Sequence, residues 1–112
     1  ICIPNCIFTD PEIAAVGLSE EEARAQGANI KVSRFDFMGS GMAQILDEAH
    51  GFIKIISDST SQELLGACVI GPHATEIIGI LTLAVSTRLK SSQLRDTVFA
   101  HPTLSEAISE AL

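Results

Sequence analysis

The chain has 112 residues with 7 Lys and Arg against 14 Asp and Glu, a formal net charge of −7, and 46 % apolar but only 4 % aromatic residues. This length supports one domain with one core, burying roughly 65 % of the surface that the unfolded chain exposes. Plentiful, evenly spread Ile, Leu, Val and Phe exclude disorder, and few scattered cations with few stacking aromatics exclude a nucleic-acid partner.

The first residue is Ile rather than Met, the opening already carries a strand pattern, and residues 105–112 end inside a helical pattern. The sequence therefore reads as a piece of a longer polypeptide, with residues 1–112 forming one domain of it. No signal peptide is recognisable. The longest helix-like apolar stretch, residues 77–89, is short and interrupted by Thr82, Ser86 and Arg88, so no membrane span is expected.

In chain order, residues 3–8 read as a short strand. Cys2 and Cys6 flank Ile-Pro-Asn, a spacing that fits neither a C-x-x-C redox pair nor a zinc site. On one extended segment their side chains lie about 13 Å apart, too far for a disulfide unless Pro4 turns the chain. With Cys68 set in the apolar run 64–70 as a small core residue, the three thiols are expected to be structural and the compartment reducing. A reducing setting such as the cytoplasm is therefore expected.

Thr9-Asp10-Pro11-Glu12 is a turn signal, with Pro11 placed to open a helical turn. Ser19-Glu20-Glu21-Glu22 is a capping box that opens a short helix ending at Gly27. Residues 30–38 form a strand whose apolar phase switches: Ile30 and Val32 share one face, Phe35 and Phe37 the other. A bulge near Ser33 and Arg34 would reconcile them. Gly39-Ser40-Gly41-Met42-Ala43 breaks that strand as a loop of permissive backbone.

Strands at 51–58 and 63–70 follow, joined by the polar Ser59-Thr60-Ser61-Gln62 as an antiparallel hairpin. Phe52-Ile53-Lys54-Ile55-Ile56 is almost continuously apolar, which predicts cover on both faces. After Gly71-Pro72 a long helix begins. Ala74, Ile77, Ile78, Leu81, Ala84 and Val85 repeat at helical spacing, and Ile80, Leu83 and Thr87 make a second stripe. One stripe packs on the sheet; the other needs a cover that a partner subunit can supply. Residues 91–96 form a helical turn, and a last helix follows His101-Pro102. The fold class is α+β, an antiparallel sheet with helices packed on one face.

Among candidate sites, Gly39-Ser40-Gly41 fails as a dinucleotide fingerprint because Gln44 occupies the last glycine position and no βαβ unit surrounds it. His50 reads as a solvated turn residue, and His73 as a surface partner of Glu76 at i+3. No metal site is expected. His101-Pro102-Thr103-Leu104-Ser105-Glu106 carries two readings. Thr103-x-x-Glu106 is a capping box. Equally, His101 held before a helix start can donate one ring N–H to Glu106. The carboxylate then fixes the tautomer, raises basicity and leaves the other nitrogen as a base. Pro102 rigidifies that presentation, and a cis His–Pro bond is compatible with it.

Three stretches together resemble a known family: Ile7-Phe8-Thr9-Asp10-Pro11-Glu12-Ile13-Ala14-Ala15-Val16-Gly17; then Gly51-Phe52-Ile53-Lys54 with Leu65-Gly66-Ala67-Cys68-Val69-Ile70-Gly71 and a helix containing Glu76; and Ala100-His101-Pro102-Thr103-Leu104-Ser105-Glu106. The whole chain resembles the C-terminal dimerisation domain of the flavin-dependent pyridine nucleotide–disulfide oxidoreductases, most closely the dihydrolipoamide dehydrogenase branch. Glutathione reductase shares a related His-Pro-Thr arrangement.

The resemblance implies a homodimer whose full-length chains add an FAD domain and an NAD domain, and which oxidises dihydrolipoamide with NAD. It implies that His101 and Glu106 form an acid–base dyad serving the partner subunit's active site. The His101 and Pro102 backbone would lie near the partner's FAD. It also implies membership of a 2-oxo-acid dehydrogenase complex as an option, and no FAD or NAD bound by the isolated fragment, which would be inactive. The family's C-x4-C pair is absent here. Gly41-Met42-Ala43-Gln44 and Phe99 stand where the family often has an Asn or Arg-Ala element and a second His. A glutathione reductase-like enzyme and a non-catalytic interaction module are the alternatives.

Overall fold

A computed structural model describes residues 2–112. The chain builds β1 (Asn5–Ile7), β2 (Glu12–Gly17), α1 (Glu20–Ala25), β3 (Ile30–Asp36), a 3₁₀ turn at Phe37–Gly39 and α2 (Gly41–Ile45). It continues through β4 (Phe52–Asp58), β5 (Leu64–Gly71), α3 (Ala74–Ser86), α4 (Ser91–Arg95) and α5 (Ala107–Glu110). The five strands form one sheet in the order β1-β2-β5-β4-β3, every pairing antiparallel. The expected α+β class is what the chain adopts.

Strand alternation sorts the residues into two faces. Register places Ala14 opposite Val69 and Val69 opposite Ile53; Val16, Ala67 and Ile55 form a second row across β2, β5 and β4. All six are buried, and α3 packs on this face with Ala74, Ile77, Ile78, Leu81, Ala84 and Val85, the stripe that helical spacing picks out. On the other face Lys54 pairs with Cys68 across the sheet. Lys54 Nζ reaches Glu20 Oε1 at 3.0 Å, tying α1 to this side. The Arg34 guanidinium lies 3.9 Å over the Phe52 ring. Phe52 and Lys54 are half-buried while Ile53, Ile55 and Ile56 are buried, so the continuous apolar run is covered on both sides as expected.

The capping box at Ser19 forms in full: Ser19 Oγ accepts from Glu22 N–H, and Glu22 Oε1 accepts from Ser19 N–H, both at 3.1 Å. The β4–β5 hairpin turns on Asp58, whose Oδ1 accepts from the N–H groups of Thr60 and Ser61 at 2.8 Å each. Those bonds hold its carboxyl below the ordinary carboxylate range.

Four expectations are corrected. The opening strand is limited to Asn5–Ile7. Pro11 opens no helical turn; Glu12 instead starts β2, whose Ile-Ala-Ala-Val core looks helix-compatible by composition but alternates half-buried and buried along the sheet. Tertiary pairing with β5 overrides the local preference of two alanines. No bulge interrupts β3, which pairs with β4 in continuous register from Ile30↔Asp58 to Asp36↔Phe52. The apolar phase switches because Val32 lies on the sheet face away from α3, 37 % exposed, while Phe35 packs on the opposite face against the core and Phe37 already belongs to the 3₁₀ turn, where it is fully buried. The irregularity falls instead in the β4–β5 pairing at Ile56 and Ser57. Gly39-Ser40-Gly41 leads into a helix rather than a plain loop: Ser40 Oγ accepts from Ala43 N–H at 3.2 Å and caps α2.

Candidate functional site

The segment between α4 and α5 is pinned by apolar residues at both ends. Leu94 and Leu104 are buried, and Phe99 packs part-buried against the core. Between these anchors the chain must bulge outward, and His101 and Pro102 stand exposed at its crest, joined by a cis peptide bond. Downstream, Ala107 and Ile108 are buried and fix the orientation of α5.

Glu106 immediately precedes α5 and turns back toward the crest. Both of its carboxylate oxygens lie 2.9 Å from His101 Nδ1. The glutamate side chain is 19 % exposed and the histidine 76 %. A carboxylate only accepts, so Nδ1 carries the donated proton and the neutral imidazole keeps its lone pair at Nε2. The two readings of this motif thereby separate. Thr103 Oγ1 accepts from Glu106 N–H at 3.3 Å, which makes one half of a capping box. The reciprocal half is not made among the described residues, because the Glu106 side chain is bonded to His101.

Beside the pair lies a recess of 240 Å³ lined by Phe35, Gly39, Ser40, Gly41, Ala107 and Glu110 together with His101 and Glu106. Its far wall is the end of β3 and the turn that follows. Gly39 packs closely there: a Cβ would sit 2.9 Å from Cζ at the far end of the Phe35 ring, which would have to shift. Sequence reading misses these wall residues. Glu110 has a legible signal, since it stands four positions after Glu106 and so on the same helical side; the contribution of Phe35 and the glycines is set by tertiary packing alone.

Other candidates are not brought to this site. His50 is exposed, as expected of a turn residue. His73 caps α3 in the left-handed region at φ 54° and makes no ion pair with Glu76 among the described residues; its carbonyl instead accepts from Glu76 and Ile77 N–H. A side-chain pair at i+3 needs both residues in helical conformation, and His73 lies just outside it. His50 and His73 line an open cleft of 560 Å³ with Asp10, Glu12, Asp47 and Glu48, and no group of three potential metal ligands forms among the described residues. Glu12 there accepts from the N–H and hydroxyl of Thr75, which keeps its carboxyl below its ordinary value.

Cys2, Cys6 and Cys68 are free thiols. Cys68 is half-buried on the face away from α3 rather than in the main core, and burial pushes its thiol up. A protonated, shielded thiol is a poor nucleophile. On the outer side of α3, Ile80, Leu83 and Thr87 join Leu89, Leu94 and Phe99 around an apolar groove of 350 Å³, with Leu83 66 % exposed. Among the described residues, no helix is long and apolar enough to cross a membrane.

Residues 3–112 match the family model for the pyridine nucleotide-disulphide oxidoreductase dimerisation domain. Curated relatives include the dihydrolipoyl dehydrogenases of Bacillus subtilis, 44 % identical, and of Chlamydia muridarum, 47 % identical, each over 97 % of this chain. The chain spans 23 % of the length of either relative. Among solved structures, the HOCl-induced flavoprotein disulfide reductase RclA of Escherichia coli superposes with a TM-score of 0.93 at 32 % identity, over 97 % of this chain and 25 % of that one. LpdA of Mycobacterium tuberculosis superposes at 0.91 with 30 % identity, over 97 % of this chain and 24 % of that one. The chain belongs to the pyridine nucleotide–disulfide oxidoreductases, as their dimerisation domain.

Proposed function

We propose that residues 1–112 are the dimerisation domain of a dihydrolipoamide dehydrogenase, in which His101 is the acid–base for dithiol oxidation and Glu106 its orienting partner. The observation that carries this reading is the His101–Glu106 contact at 2.9 Å on an exposed crest. An imidazole held in the Nδ1–H form by a carboxylate, with Nε2 open to another chain, is a base presented outward.

The reaction converts dihydrolipoamide and NAD⁺ into lipoamide, NADH and a proton, so two electrons leave the dithiol and one S–S bond forms. A free thiol has a pKa of about 8.5 and attacks a disulfide only as the thiolate. His101 Nε2 takes the first thiol proton while the sulfur attacks the redox disulfide carried by the partner subunit, forming a mixed disulfide and releasing one cysteine as thiolate. The second substrate thiol then displaces the other cysteine and closes the S–S bond of lipoamide. Glu106 keeps the imidazolium in place until that proton is released. The chemistry that FAD supplies, when bound by the rest of the polypeptide, is relay of the electron pair to NAD. The residues here that fit a place beside the partner's flavin are His101 and Pro102, because they are exposed at the crest and accessible to a group on another chain.

The second copy of the chain belongs on the outer stripe of α3, where the apolar groove beside Leu83 awaits a complementary surface. Membership of a 2-oxo-acid dehydrogenase complex is compatible with this reading, and a reducing, cytoplasmic setting agrees with three unpaired thiols.

The RclA likeness supports a second reading, a disulfide reductase acting on another thiol. Assay of the full-length enzyme with dihydrolipoamide and with glutathione disulfide separates the two. The first reading expects turnover with dihydrolipoamide and little with glutathione disulfide. It also expects His101→Gln to lower dithiol turnover by at least about a hundredfold with flavin content retained. Unchanged dithiol turnover in that variant removes the catalytic assignment.

A further inference from the structure

We infer that Thr103 is a positioning residue for the His101–Glu106 pair, through one hydroxyl that closes the loop carrying both. This rests on the dyad reading above. Thr103 Oγ1 donates to the carbonyl of Ala100 at 2.6 Å and accepts from the N–H of Glu106 at 3.3 Å. A hydroxyl has one proton to give and lone pairs to receive with, so both bonds are made at once. The donated bond fixes the residue immediately before His101, and the accepted bond fixes the residue that bears the carboxylate. The stretch from Ala100 to Glu106 is thereby drawn into one closed unit, with His101 and Glu106 near its two ends.

The need for such a closure is visible in the surroundings. His101 is 76 % exposed, and its side-chain bonds among the described residues go to Glu106 alone. Pro102 has no N–H with which to tie the crest down. The backbone on either side of the ring is therefore held by the Thr103 hydroxyl and by the apolar anchors Phe99 and Leu104. A base must sit within a fraction of an ångström of its productive place, and small displacements depress a rate strongly. Removing the hydroxyl frees both ends of the loop relative to each other while leaving the apolar anchors intact.

The test uses the full-length, flavin-loaded dimer and compares Thr103→Val, Thr103→Ser and His101→Gln. Valine keeps the shape and removes both bonds; serine keeps the hydroxyl and removes the methyl. Thr103→Val is expected to lower kcat for dihydrolipoamide on the order of tenfold, with KM nearly unchanged, an altered pH–rate profile, and dimerisation and flavin content retained. Thr103→Ser is expected to restore kcat and profile toward wild type. Wild-type kcat and pH profile in Thr103→Val, with His101→Gln inactive, would overturn the positioning role alone. Equal impairment of the serine and valine variants would overturn it too, since the methyl group would then be what matters. Full dithiol turnover in His101→Gln would overturn the dyad itself, and this inference with it.

Discussion

Glu106 reaches back five residues and sets both carboxylate oxygens 2.9 Å from His101 Nδ1, while its own backbone N–H is capped by Thr103. One residue thus divides two tasks between its main chain and its side chain. That division makes helix capping and histidine orientation separable by mutation. Glu106→Ala keeps the backbone N–H and so keeps the cap. Its unfolding free energy should change by less than about 1 kcal/mol, while dithiol oxidation by the full-length enzyme falls roughly tenfold or more and the pH–rate profile changes shape. Chemical denaturation beside steady-state kinetics checks both halves. An intact rate with a large loss of stability would return the residue to a purely structural role.

The two sides of α3 should respond differently to substitution. Leu81 is fully buried against the sheet, so Leu81→Ala is expected to destabilise the fold by about 3–5 kcal/mol. Leu83 is 66 % exposed beside the apolar groove. Leu83→Glu should leave fold stability within about 0.5 kcal/mol yet raise the dimer dissociation constant by about tenfold or more, as loss of an apolar anchor does. Analytical ultracentrifugation reads the second effect and denaturant titration the first. A fully dimeric Leu83→Glu protein would place the partner elsewhere.

Glu12 links the acid limb of stability to the start of α3. The Thr75 N–H is the main cause of its lowered carboxyl pKa, followed by the Thr75 hydroxyl, against an ordinary value of 4.5. A carboxyl whose folded pKa is depressed contributes stability above its unfolded pKa and loses it as pH falls through the folded one. Stability should therefore drop as pH falls below about 4.5, and Glu12→Gln should flatten that drop while lowering stability near neutrality. Unfolding curves measured from about pH 3 to about pH 7 on the two proteins decide this; parallel curves would contradict it.

Gly51 tests the geometry at the start of β4. Its φ is +103°, and a Cβ built there collides with the carbonyl of Ile70. Gly51→Ala should destabilise by about 3 kcal/mol, combining backbone strain with displacement of β5. A melting temperature equal to wild type would show that the strand start is free to move.

Features that depend on a single periodicity or a local bond can be read from the residues. The buried stripe Ala74, Ile77, Ile78, Leu81, Ala84 and Val85 follows from helical spacing alone and is buried residue for residue. The Ser19 cap is a local exchange of two hydrogen bonds and forms as its sequence implies. β2 is hidden because Glu12–Gly17 acquires its strand character from pairing with β5, far along the chain. The phase of Val32 misleads because alternation puts it on the sheet face away from α3, opposite Ile56, where it stays 37 % exposed, so its apolar character does not mark the main core. At the site, the His101–Glu106 motif is legible, but the choice between cap and dyad is not. Both use the same spacing, and only the direction of one carboxylate distinguishes them. Phe35 and Gly39 reach the recess through the fold of β3 and carry no local sign.

Whether His101 of one subunit serves the active site of the other is tested most directly by a mixed dimer of the full-length enzyme. One subunit carries His101→Gln and the other a Ser in place of its redox-active cysteine, so that each homodimer is inactive. In the mixed dimer one site combines an intact disulfide with the His101 of the opposite chain. Turnover of dithiol by this dimer is expected to recover to about half of the wild-type rate, since one of its two sites is whole. A mixed dimer as inactive as its parents would show that His101 works within its own subunit, contradicting its place in the partner's site.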